Sequence, residues 1–263
     1  MRDLVTSYPG VALVTGGSAG IGAATALRLA REGVPVALVA RRHHRLDELC
    51  ARITAAGGRA YPVAADLLQP EERQRVVEVV RSTAGPVSIL VNNAGVGWYG
   101  FFAEMPSGDI ADLVAVNLSA TVHLTSLVLS EMLDAGSGAV INIGSVSSNL
   151  AAPGNVIYGA TKSFVAMFST GLYRELRQTG VRVGVVHAGP VRTDFYGTAA
   201  ARSGHRPPGE RFAVPADRVA AAVVGLLRRP RRQVYVPGWL RTTAGLETWA
   251  GWLLDRVRPR LLS

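Results

Sequence analysis

The sequence predicts an α/β protein with one doubly wound parallel sheet and helices on both of its faces. Short runs that are apolar throughout, such as VALVT at 11–15 and PVALVA at 35–40, are typical of strands covered on both sides. They alternate regularly with segments whose apolar residues recur at helical spacing, which favours right-handed crossovers between parallel strands. With 263 residues and 48% hydrophobic content, the chain is expected to form a single domain over 1–263.

The expected elements follow one another along the chain. Strands are predicted at 11–15, 35–40, 60–64, 87–91, 139–144, 181–187 and 233–236. Helices are predicted from the Gly-rich turn after residue 15 to 32, and at 43–56, 70–83, 109–134, 156–178 and 215–228. The stretch 192–214, rich in Gly, Pro and Ala, is long for a connector and is predicted to be an irregular substrate lid. In such sheets ligands bind beyond the carboxyl ends of the strands, so the loops there form the candidate site.

Composition excludes several classes of protein. The formal charge is +9, but eight Arg against two acidic residues lie in 228–263, and the rest of the chain is nearly neutral. Neither zinc-finger spacing nor an RNA-binding aromatic signature occurs, so no nucleic-acid partner is expected. No uninterrupted run of about 18 apolar residues is present. The lone Cys50 rules out an internal disulfide and favours the cytoplasm. The five His residues lack metal-ligand spacing, so no metal is expected.

The C-terminal segment 239–263 is predicted to be a basic amphipathic extension. It contains three of the four Trp residues, and Leu246, Trp249, Leu253 and Val257 recur at helical spacing. A basic amphipathic helix can lie on an anionic membrane, which would make the protein a peripheral membrane protein. The same segment could instead cover the substrate cleft or pack on another subunit.

A glycine-rich turn separates the first predicted strand from the first helix. Gly16, Gly20 and Gly22 have the spacing G-x-x-x-G-x-G, and a tight turn at a helix N-terminus is suited to bind the pyrophosphate of a dinucleotide. Arg41 and Arg42 follow the second strand, where an NAD site usually carries a carboxylate for the ribose 2′-hydroxyl. A guanidinium suits a 2′-phosphate, so NADP(H) is the expected cofactor. The alternative is that both are solvated surface arginines.

Three residues predict proton-transfer chemistry. Tyr158 and Lys162 are four residues apart on one helix face, and Ser145 precedes Tyr158 by thirteen residues at the end of a predicted strand. A cation about 4 Å from a phenol, at an effective dielectric of about 20, contributes roughly 4 kcal/mol, or about three pH units of pKa. We therefore expect the pKa of Tyr158 to be lowered toward neutrality. Lys162 is the single lysine among 28 basic residues, which singles out this pair.

These features together resemble the short-chain dehydrogenase/reductase family, over about Val11 to Thr193. The resemblance is carried by TGGSAGIG at 15–22, Asp66, NNAG at 92–95, Asn117, Ser145, YGATK at 158–162 and GPVRT at 189–193. It implies a Rossmann-type fold, an NADP(H)-dependent hydride transfer between nicotinamide and a carbonyl or alcohol, and a homodimer or homotetramer formed through the helices near 109–134 and 157–178.

The resemblance also implies a role for each matching residue. Ser145 would hydrogen-bond the substrate oxygen, Tyr158 would pass the proton, and Lys162 would bind the nicotinamide ribose and lower the pKa of the phenol. Asn117 would complete the catalytic set by positioning a water that connects Lys162 to solvent. The implied cofactor-binding residues are Gly16, Ser18, Ala19, Gly20, Ile21, Arg41, Arg42, Asp66, Leu67, Asn93, Ala94, Gly95, Tyr158, Lys162, Val191 and Thr193.

Several alternatives stay open at the level of sequence. Asp66 could be an ordinary strand-end cap, and Asn92 and Asn93 could form an Asx turn. Ala188 stands where the family usually has Pro, which could loosen the loop that carries Val191 and Thr193. Aromatic residues in the predicted pocket loops indicate a bulky apolar or aromatic substrate, or else they fill the core under the lid; they are Trp98, Tyr99, Phe101, Phe102, Phe195 and Tyr196.

Two other functions compete with a dehydrogenase/reductase. One is a non-catalytic NADP(H)-binding sensor or scaffold on the same fold. The presence of Ser145, Tyr158 and Lys162 argues against it. The other is a sugar-nucleotide epimerase or dehydratase, but such chains carry a larger C-terminal substrate domain.

Overall fold

The computed structural model describes residues 3–205 and 209–256 of the chain. The strands are β1 (Val11–Thr15), β2 (Val36–Ala40), β3 (Ala60–Ala64), β4 (Val87–Asn92), β5 (Gly138–Ser145), β6 (Val181–Ala188), β7 (Val191–Arg192), β8 (Val214–Pro215) and β9 (Gln233–Val236). The α-helices are α1 (Leu4–Ser7), α2 (Gly20–Arg31), α3 (His43–Ala55), α4 (Pro70–Thr83), α5 (Ser107–Val114), α6 (Ala120–Asp134), α7 (Val156–Glu175), α8 (Phe195–Ser203), α9 (Ala216–Arg228) and α10 (Leu246–Leu254).

Seven strands form one parallel sheet in the order β3-β2-β1-β4-β5-β6-β9. The chain builds outward from β1 to one edge and then returns to build outward from β4 to the other edge. The reversal between β1 and β4 opens a crevice at the carboxyl ends of these strands, where ligands bind in doubly wound sheets. This architecture confirms the predicted fold class.

Both faces of the sheet are buried because alternate residues of each central strand enter different cores. In β1, Ala12 and Val14 pack into the core beneath α2 and α9, whereas Val11 and Leu13 pack into the core beneath α4 and α6. This explains why the strands are apolar throughout instead of alternating with polar residues. Helix α4 begins at Pro70, a residue suited to the first helical turn, where no intrahelical N–H bond is lost.

The predicted long helix at 109–134 is interrupted in the structure by one π turn at Ala115–Ser119, between α5 and α6. The combined run Ser107–Asp134 has 28 residues and a mean hydropathy of 1.6, so by length and composition it could cross a membrane. Leu124, Val128 and Met132 of this run belong to the core between the sheet and α4. Its apolar character is therefore explained by packing within the domain.

The region 192–214 differs from the irregular lid that the sequence predicts. Residues Phe195–Ser203 form helix α8, and a short 3₁₀ turn follows at Glu210–Phe212, while 206–208 lie outside the described residues. The prediction of irregular structure was wrong over α8, because the run of alanines at its centre favours a helix once Phe195 and Ala199 find contacts at the site. Helix α7 likewise ends at Glu175, three residues before the predicted limit.

The C-terminal extension is part of the carboxyl edge of the sheet as far as the structure describes it. Leu240 is buried, with its Cδ1 2.5 Å from where a Cβ on Gly189 would lie, and Glu247 Oε2 accepts from the N–H of Ala151 at 3.4 Å. Residues 257–263, including Val257, and the side chains of Leu246 and Leu253 lie outside the described part.

The three tryptophans of this extension and the arginines that precede β9 lie at opposite edges of the sheet, whereas Arg256 of the extension itself has its Cζ 4.8 Å from the centre of the Trp252 ring. Trp239, Trp249 and Trp252 are 61–82% exposed and follow β9 at the carboxyl edge. The arginines of 228–232 precede β9 and so lie at the opposite, amino edge of the sheet. Residues 239–256 contain two arginines and two acidic residues, so this described segment carries no net formal charge.

Candidate active site

The glycine turn predicted to bind phosphate is packed against two neighbouring loops. A Cβ on Gly16 would lie 2.7 Å from Asn93 Nδ2, and one on Gly20 would lie 2.8 Å from Thr193 Cγ2; both glycines have positive φ. A Cβ on Gly22 would lie 2.3 Å from the Gly16 carbonyl oxygen. The three glycines are therefore required for contacts inside the protein, in addition to any approach of a ligand.

Thr15 fastens the second predicted cofactor loop to the glycine turn. Its Oγ1 accepts from the N–H groups of Asn93 and Ala94, both at 2.9 Å, and Asn93 Nδ2 donates to the Thr15 carbonyl at 2.8 Å. Asn92 instead donates to Asn142 Oδ1 at 2.9 Å on the adjacent strand. The Asx-turn alternative for Asn92 and Asn93 is thus replaced by hydrogen bonds that cross between strands.

The carboxyl end of β2 presents guanidinium groups to the same crevice. Arg41 and Arg42 are exposed and line it, and Arg42 Nη2 lies 3.4 Å from Ser18 Oγ. Asp194, which directly follows Thr193, approaches from the opposite wall, 2.8 Å from Arg45 Nη1 and 3.8 Å from Arg42 Nη1. Sequence analysis missed Asp194 and Arg45, because a separation of 149 positions in sequence leaves no local signal of their contact.

Asp66 and Leu67 line the crevice beyond β3. Asp66 Oδ1 accepts from the N–H of Leu68 at 3.1 Å, so Asp66 does cap the end of the strand, as the alternative in the sequence analysis predicts. On the opposite side, Val191 is buried in β7 and pairs with Val214, while Thr193 packs on Gly20. Ala188 stays within β6, and the N–H of Gly189 donates to the Val236 carbonyl at 2.8 Å. The loop therefore keeps its register without the family's proline.

Ser145, Tyr158 and Lys162 meet at the carboxyl end of β5. Ser145 is the last residue of β5, and its Oγ accepts from the N–H of Ser147 at 3.1 Å. Tyr158 and Lys162 lie on the first turns of α7, with Lys162 Nζ 5.8 Å from the centre of the Tyr158 ring. Lys162 is 6% exposed, and its Nζ donates to the Ile143 carbonyl at 2.9 Å. All three residues line the crevice.

The electrostatics of this group differ from the sequence-based expectation. Burial raises the pKa of Tyr158 far above its usual range, and a hydrogen bond with Ser145 opposes the rise only in part. Burial also lowers the pKa of Lys162, to about 8. The expected lowering of the Tyr158 pKa was therefore wrong for the protein alone, because desolvation of the phenolate outweighs the hydrogen bond with Ser145. At neutral pH the phenol holds its proton.

Asn117 differs from the other predicted site residues because it does not line the crevice. It lies in the π turn and is 1% exposed. Its Oδ1 accepts from the N–H of Val96 at 2.9 Å, and its Nδ2 donates to the Val96 carbonyl at 3.0 Å and to Thr161 Oγ1 at 3.1 Å. The side chain thus connects the loop after β4 to helix α7.

The crevice has a volume of about 830 Å³ over its whole length, and the part of it between Tyr158 and α8 forms a cavity. Trp98, Tyr99, Phe195 and Tyr196 line it, and Trp98 also belongs to a buried cluster with Met105 and Leu113. Phe101 and Phe102 do not line this cavity and are 43% and 51% exposed, so for these two both expectations were wrong.

A charged cluster at the far wall of the cavity was missed by sequence analysis. Arg202 of α8 pairs with Asp109, at 2.8 Å, and with Asp112, both on α5. Asp112 and Arg202 line the cavity. Their positions in sequence give no hint of the contact, since it depends on how α8 lies across α5.

The crevice fits a nicotinamide dinucleotide. The arginines after β2, the glycine turn and the Ser145–Tyr158–Lys162 group all line this one crevice. Helix α2 begins beside it with Ala19 as N-cap, a residue whose side chain makes no capping hydrogen bond, so the first N–H groups of α2 are available to an anion. Among the described residues, no cluster of His, Cys, Asp and Glu is suited to hold a metal ion.

Comparison with known proteins assigns a family to this architecture. A profile of the short chain dehydrogenase family matches residues 10–203. The ketoacyl reductase HetN of a Nostoc species is 34% identical over 179 residues, which cover 68% of this chain and 62% of HetN. The chain therefore spans less than two thirds of that relative's length.

Solved structures agree with the family assignment. A short-chain dehydrogenase from Sphingobium yanoikuyae in complex with NADPH has a TM-score of 0.81 and 33% identity, covering 95% of this chain and 96% of that one. A bulky-bulky ketone specific alcohol dehydrogenase from Comamonas testosteroni has a TM-score of 0.78 and 30% identity, covering 96% of each chain. Other structures of this fold hold NAD, so the likeness supports a nicotinamide cofactor without choosing between the two. The chain belongs to the short-chain dehydrogenase family.

Proposed function

We propose that this protein is an NADP(H)-dependent carbonyl reductase in which Tyr158 is the proton donor and Ser145 and Lys162 assist it. The observation that carries the proposal is the convergence of these three residues at one end of a crevice whose other end presents Arg41 and Arg42. When bound there, the nicotinamide coenzyme would supply the hydride.

The raised pKa of Tyr158 suits an acid more than a base. A phenol that holds its proton at neutral pH can donate it to the carbonyl oxygen as negative charge develops there. Ser145 Oγ already accepts from the N–H of Ser147, so its own hydrogen can be donated to the same carbonyl oxygen. The Lys162 ammonium, buried beside the ring, would stabilise the phenolate that remains after proton transfer.

The remaining predicted residues would bind the coenzyme. The backbone from Gly16 to Ile21 and the N-terminus of α2 would bind the pyrophosphate, and Asp66 and Leu67 would flank the adenine. Asn93–Gly95, Val191 and Thr193 would line the nicotinamide end. Asn117 would hold the Val96 loop, and any water beside Lys162 would be positioned through that loop.

The choice of NADP(H) over NAD(H) rests on Arg41 and Arg42. Two exposed guanidinium groups at the end of β2 offer charge-assisted hydrogen bonds to a 2′-phosphate. The NADPH complex of the Sphingobium relative supports this choice.

We propose a bulky, largely apolar or aromatic ketone or aldehyde as the substrate. Four aromatic side chains line the part of the crevice between Tyr158 and α8. The likeness to a bulky-bulky ketone specific enzyme supports the same class.

The test is the oxidation of NADPH and NADH by the protein with a panel of aryl ketones, aliphatic aldehydes, quinones and β-ketoacyl thioesters. We expect turnover with NADPH and aryl ketones, and a fall of about 10²–10⁴-fold in Tyr158→Phe. Tyr173→Phe, on the same helix, is the matched control. Full turnover by Tyr158→Phe would remove Tyr158 from its role. NADPH binding without turnover of any substrate would favour the non-catalytic sensor instead.

We also propose a cytoplasmic homo-oligomer assembled through α6 and α7. Val156 and Met167 on α7 are 53% and 73% exposed, and Leu133 on α6 is 38% exposed, so apolar surface is available there. Cys50 is buried with a pKa raised to about 11, which fits an inert thiol. Light scattering after gel filtration should give a dimer or tetramer that Met167→Glu weakens. Contact of the segment 239–263 with a membrane surface stays a prediction, and unchanged flotation with anionic liposomes after deletion of residues 240–263 would contradict it.

A further inference from the structure

A buried histidine lies behind the Ser145 loop. His187 is 1% exposed on β6, in register with Gly144, and Tyr235 of β9 stacks on its ring with centroids 4.5 Å apart. Its Nδ1 is 3.0 Å from Ser148 Oγ and 3.2 Å from the Ser145 carbonyl oxygen. None of the chemistry proposed above uses this imidazole.

The hydrogen-bond count assigns the proton of the imidazole. The Ser145 carbonyl can only accept, and Ser148 Oγ lies 2.5 Å from it, so the single hydroxyl hydrogen of Ser148 is donated there. Ser148 then has no hydrogen left for His187. Both contacts of Nδ1 therefore require the hydrogen on that nitrogen. Burial lowers the pKa of His187, and hydrogen bonds with the Ser145 backbone and the Gln233 side chain oppose this in part, so the neutral ring is favoured. The contacts at Nδ1 place its one hydrogen on that nitrogen.

We infer that His187 is a positioning residue for Ser145: its Nδ1–H donates to the Ser145 carbonyl and the Ser148 hydroxyl and fixes the turn that aims the Ser145 hydroxyl into the crevice. The inference rests on the proposed role of Ser145 in binding the substrate oxygen. A second anchor on the same turn is Asn149, whose Nδ2 donates to Tyr235 Oη at 3.0 Å. The stacked Tyr235 thus holds both the imidazole and the end of the turn.

The physical reason for such a device is the weak intrinsic order of the turn. Val146–Ser148 is a single 3₁₀ turn, and Ser145 Oγ accepts from the N–H of Ser147 within this turn and is hydrogen-bonded to Tyr158. A hydroxyl must be held within a fraction of an ångström to favour the transition state over the ground state. A buried imidazole near the carboxyl end of β6, a strand paired on both sides, supplies that constraint through backbone atoms.

The first test is the tautomer of His187 in the full-length protein. Two-dimensional ¹⁵N–¹H spectra of the five histidine side chains, assigned by loss of one signal set in His187→Leu, should show Nδ1 protonated and Nε2 unprotonated at pH 7.5. A neutral ring protonated at Nε2 would overturn the inference, as would a doubly protonated ring.

The second test is kinetic and uses His187→Leu, His187→Asn, Ser145→Ala and the double variant Ser145→Ala/His187→Leu. We expect His187→Leu to lower kcat about 10-fold with the coenzyme Kd unchanged, because one hydrogen bond that orders the turn is lost. His187→Asn keeps an N–H donor at a similar distance from the backbone and should restore kcat to within about threefold. In the double variant, His187→Leu should have no further effect, because His187 acts through Ser145.

The outcomes separate this inference from the proposed function. If Ser145→Ala keeps full turnover, the role of Ser145 fails, whatever the tautomer of His187. If Ser145→Ala is impaired but the effects of the two substitutions multiply in the double variant, His187 does not act through Ser145 and the inference is wrong. If His187→Leu fails to fold, Ser148→Ala replaces it, with the same expected loss in kcat and the same non-additivity with Ser145→Ala.

Discussion

Asn117 binds Val96 through both polar groups of the Val96 backbone. The amide side chain accepts from the Val96 N–H at 2.9 Å and donates to the Val96 carbonyl at 3.0 Å, as a neighbouring strand would. The π turn at Ala115–Ser119 directs this side chain toward the loop after β4. Asn117 thus holds the Val96 end of the loop whose other end is held by Thr15.

Replacing this amide by a carboxylate tests the contact. Asn117→Asp removes the donor to the Val96 carbonyl and buries an acceptor against it, so we expect a loss of about 3 kcal/mol in the free energy of unfolding, measured with urea. Asn149→Asp is the control, because Asn149 is half-buried and donates to one hydroxyl, and its loss should stay below about 1 kcal/mol. Similar losses in both variants would contradict the special role of Asn117.

Lys162 is expected to reduce stability while serving catalysis. Its pKa is lowered from 10.5 to about 8, which corresponds to roughly 3 kcal/mol of unfavourable free energy in the folded protein at pH 7. Lys162→Met removes this cost but also the hydrogen bond to Ile143, worth about 1 kcal/mol. Without coenzyme, the variant should be about 2 kcal/mol more stable at pH 7 and nearly inactive.

The pH dependence of that difference has a definite sign. Between about pH 8 and 10.5 the unfolded chain keeps the Lys162 proton while the folded protein has lost it, so the stability of the wild type rises with pH in this window. The advantage of Lys162→Met should therefore shrink as pH rises from 7 to 9.5. Arg174→Met, at an exposed position of the same helix, is the control. An advantage that stays constant with pH would show that the burial of charge is not its cause.

Asp194 should compete with the coenzyme for Arg42. Its carboxylate lies 3.8 Å from Arg42 and 2.8 Å from Arg45, at exposed positions where such pairs contribute little. Asp194→Asn should lower the Kd for NADPH about threefold at low salt, with little change for NADH, in fluorescence titrations. Arg41→Ala and Arg42→Ala should each raise the NADPH Kd about 10-fold or more and spare NADH. An unchanged ratio of the two affinities in the arginine variants would refute the 2′-phosphate assignment.

Arg202 should hold α8 against α5. Its contacts with Asp109 and Asp112 are half-buried, so Arg202→Met leaves two acidic side chains without their cation. We expect hydrogen exchange of the α8 amides to become about 10–100-fold faster, and KM for bulky ketones to rise. Arg218→Met, at an exposed position of α9, should change neither. Unaltered exchange in α8 would show that the aromatic contacts of Phe195 alone hold the helix.

The sequence was sufficient wherever the signal is local. Strands covered on both faces must be apolar throughout, so their positions could be predicted from runs such as 11–15. Their alternation with helices predicted that the strands run parallel in one sheet. The glycine spacing, the arginines after β2 and the Tyr158–Lys162 pair each lie within one turn or helix face. Their placement on the crevice could therefore be predicted before any coordinates.

Tertiary structure decided what depends on contacts between distant segments. The contacts of Asp194 with Arg45, of Arg202 with α5, and of His187 with the Ser145 loop arise only when the strands and α8 are packed together. The pKa of Tyr158 also belongs to this class: sequence supplies a nearby cation, but the direction of the shift depends on how much water the surrounding protein excludes. Spacing along a chain determines which residues share an element, and desolvation is determined by everything that packs around them.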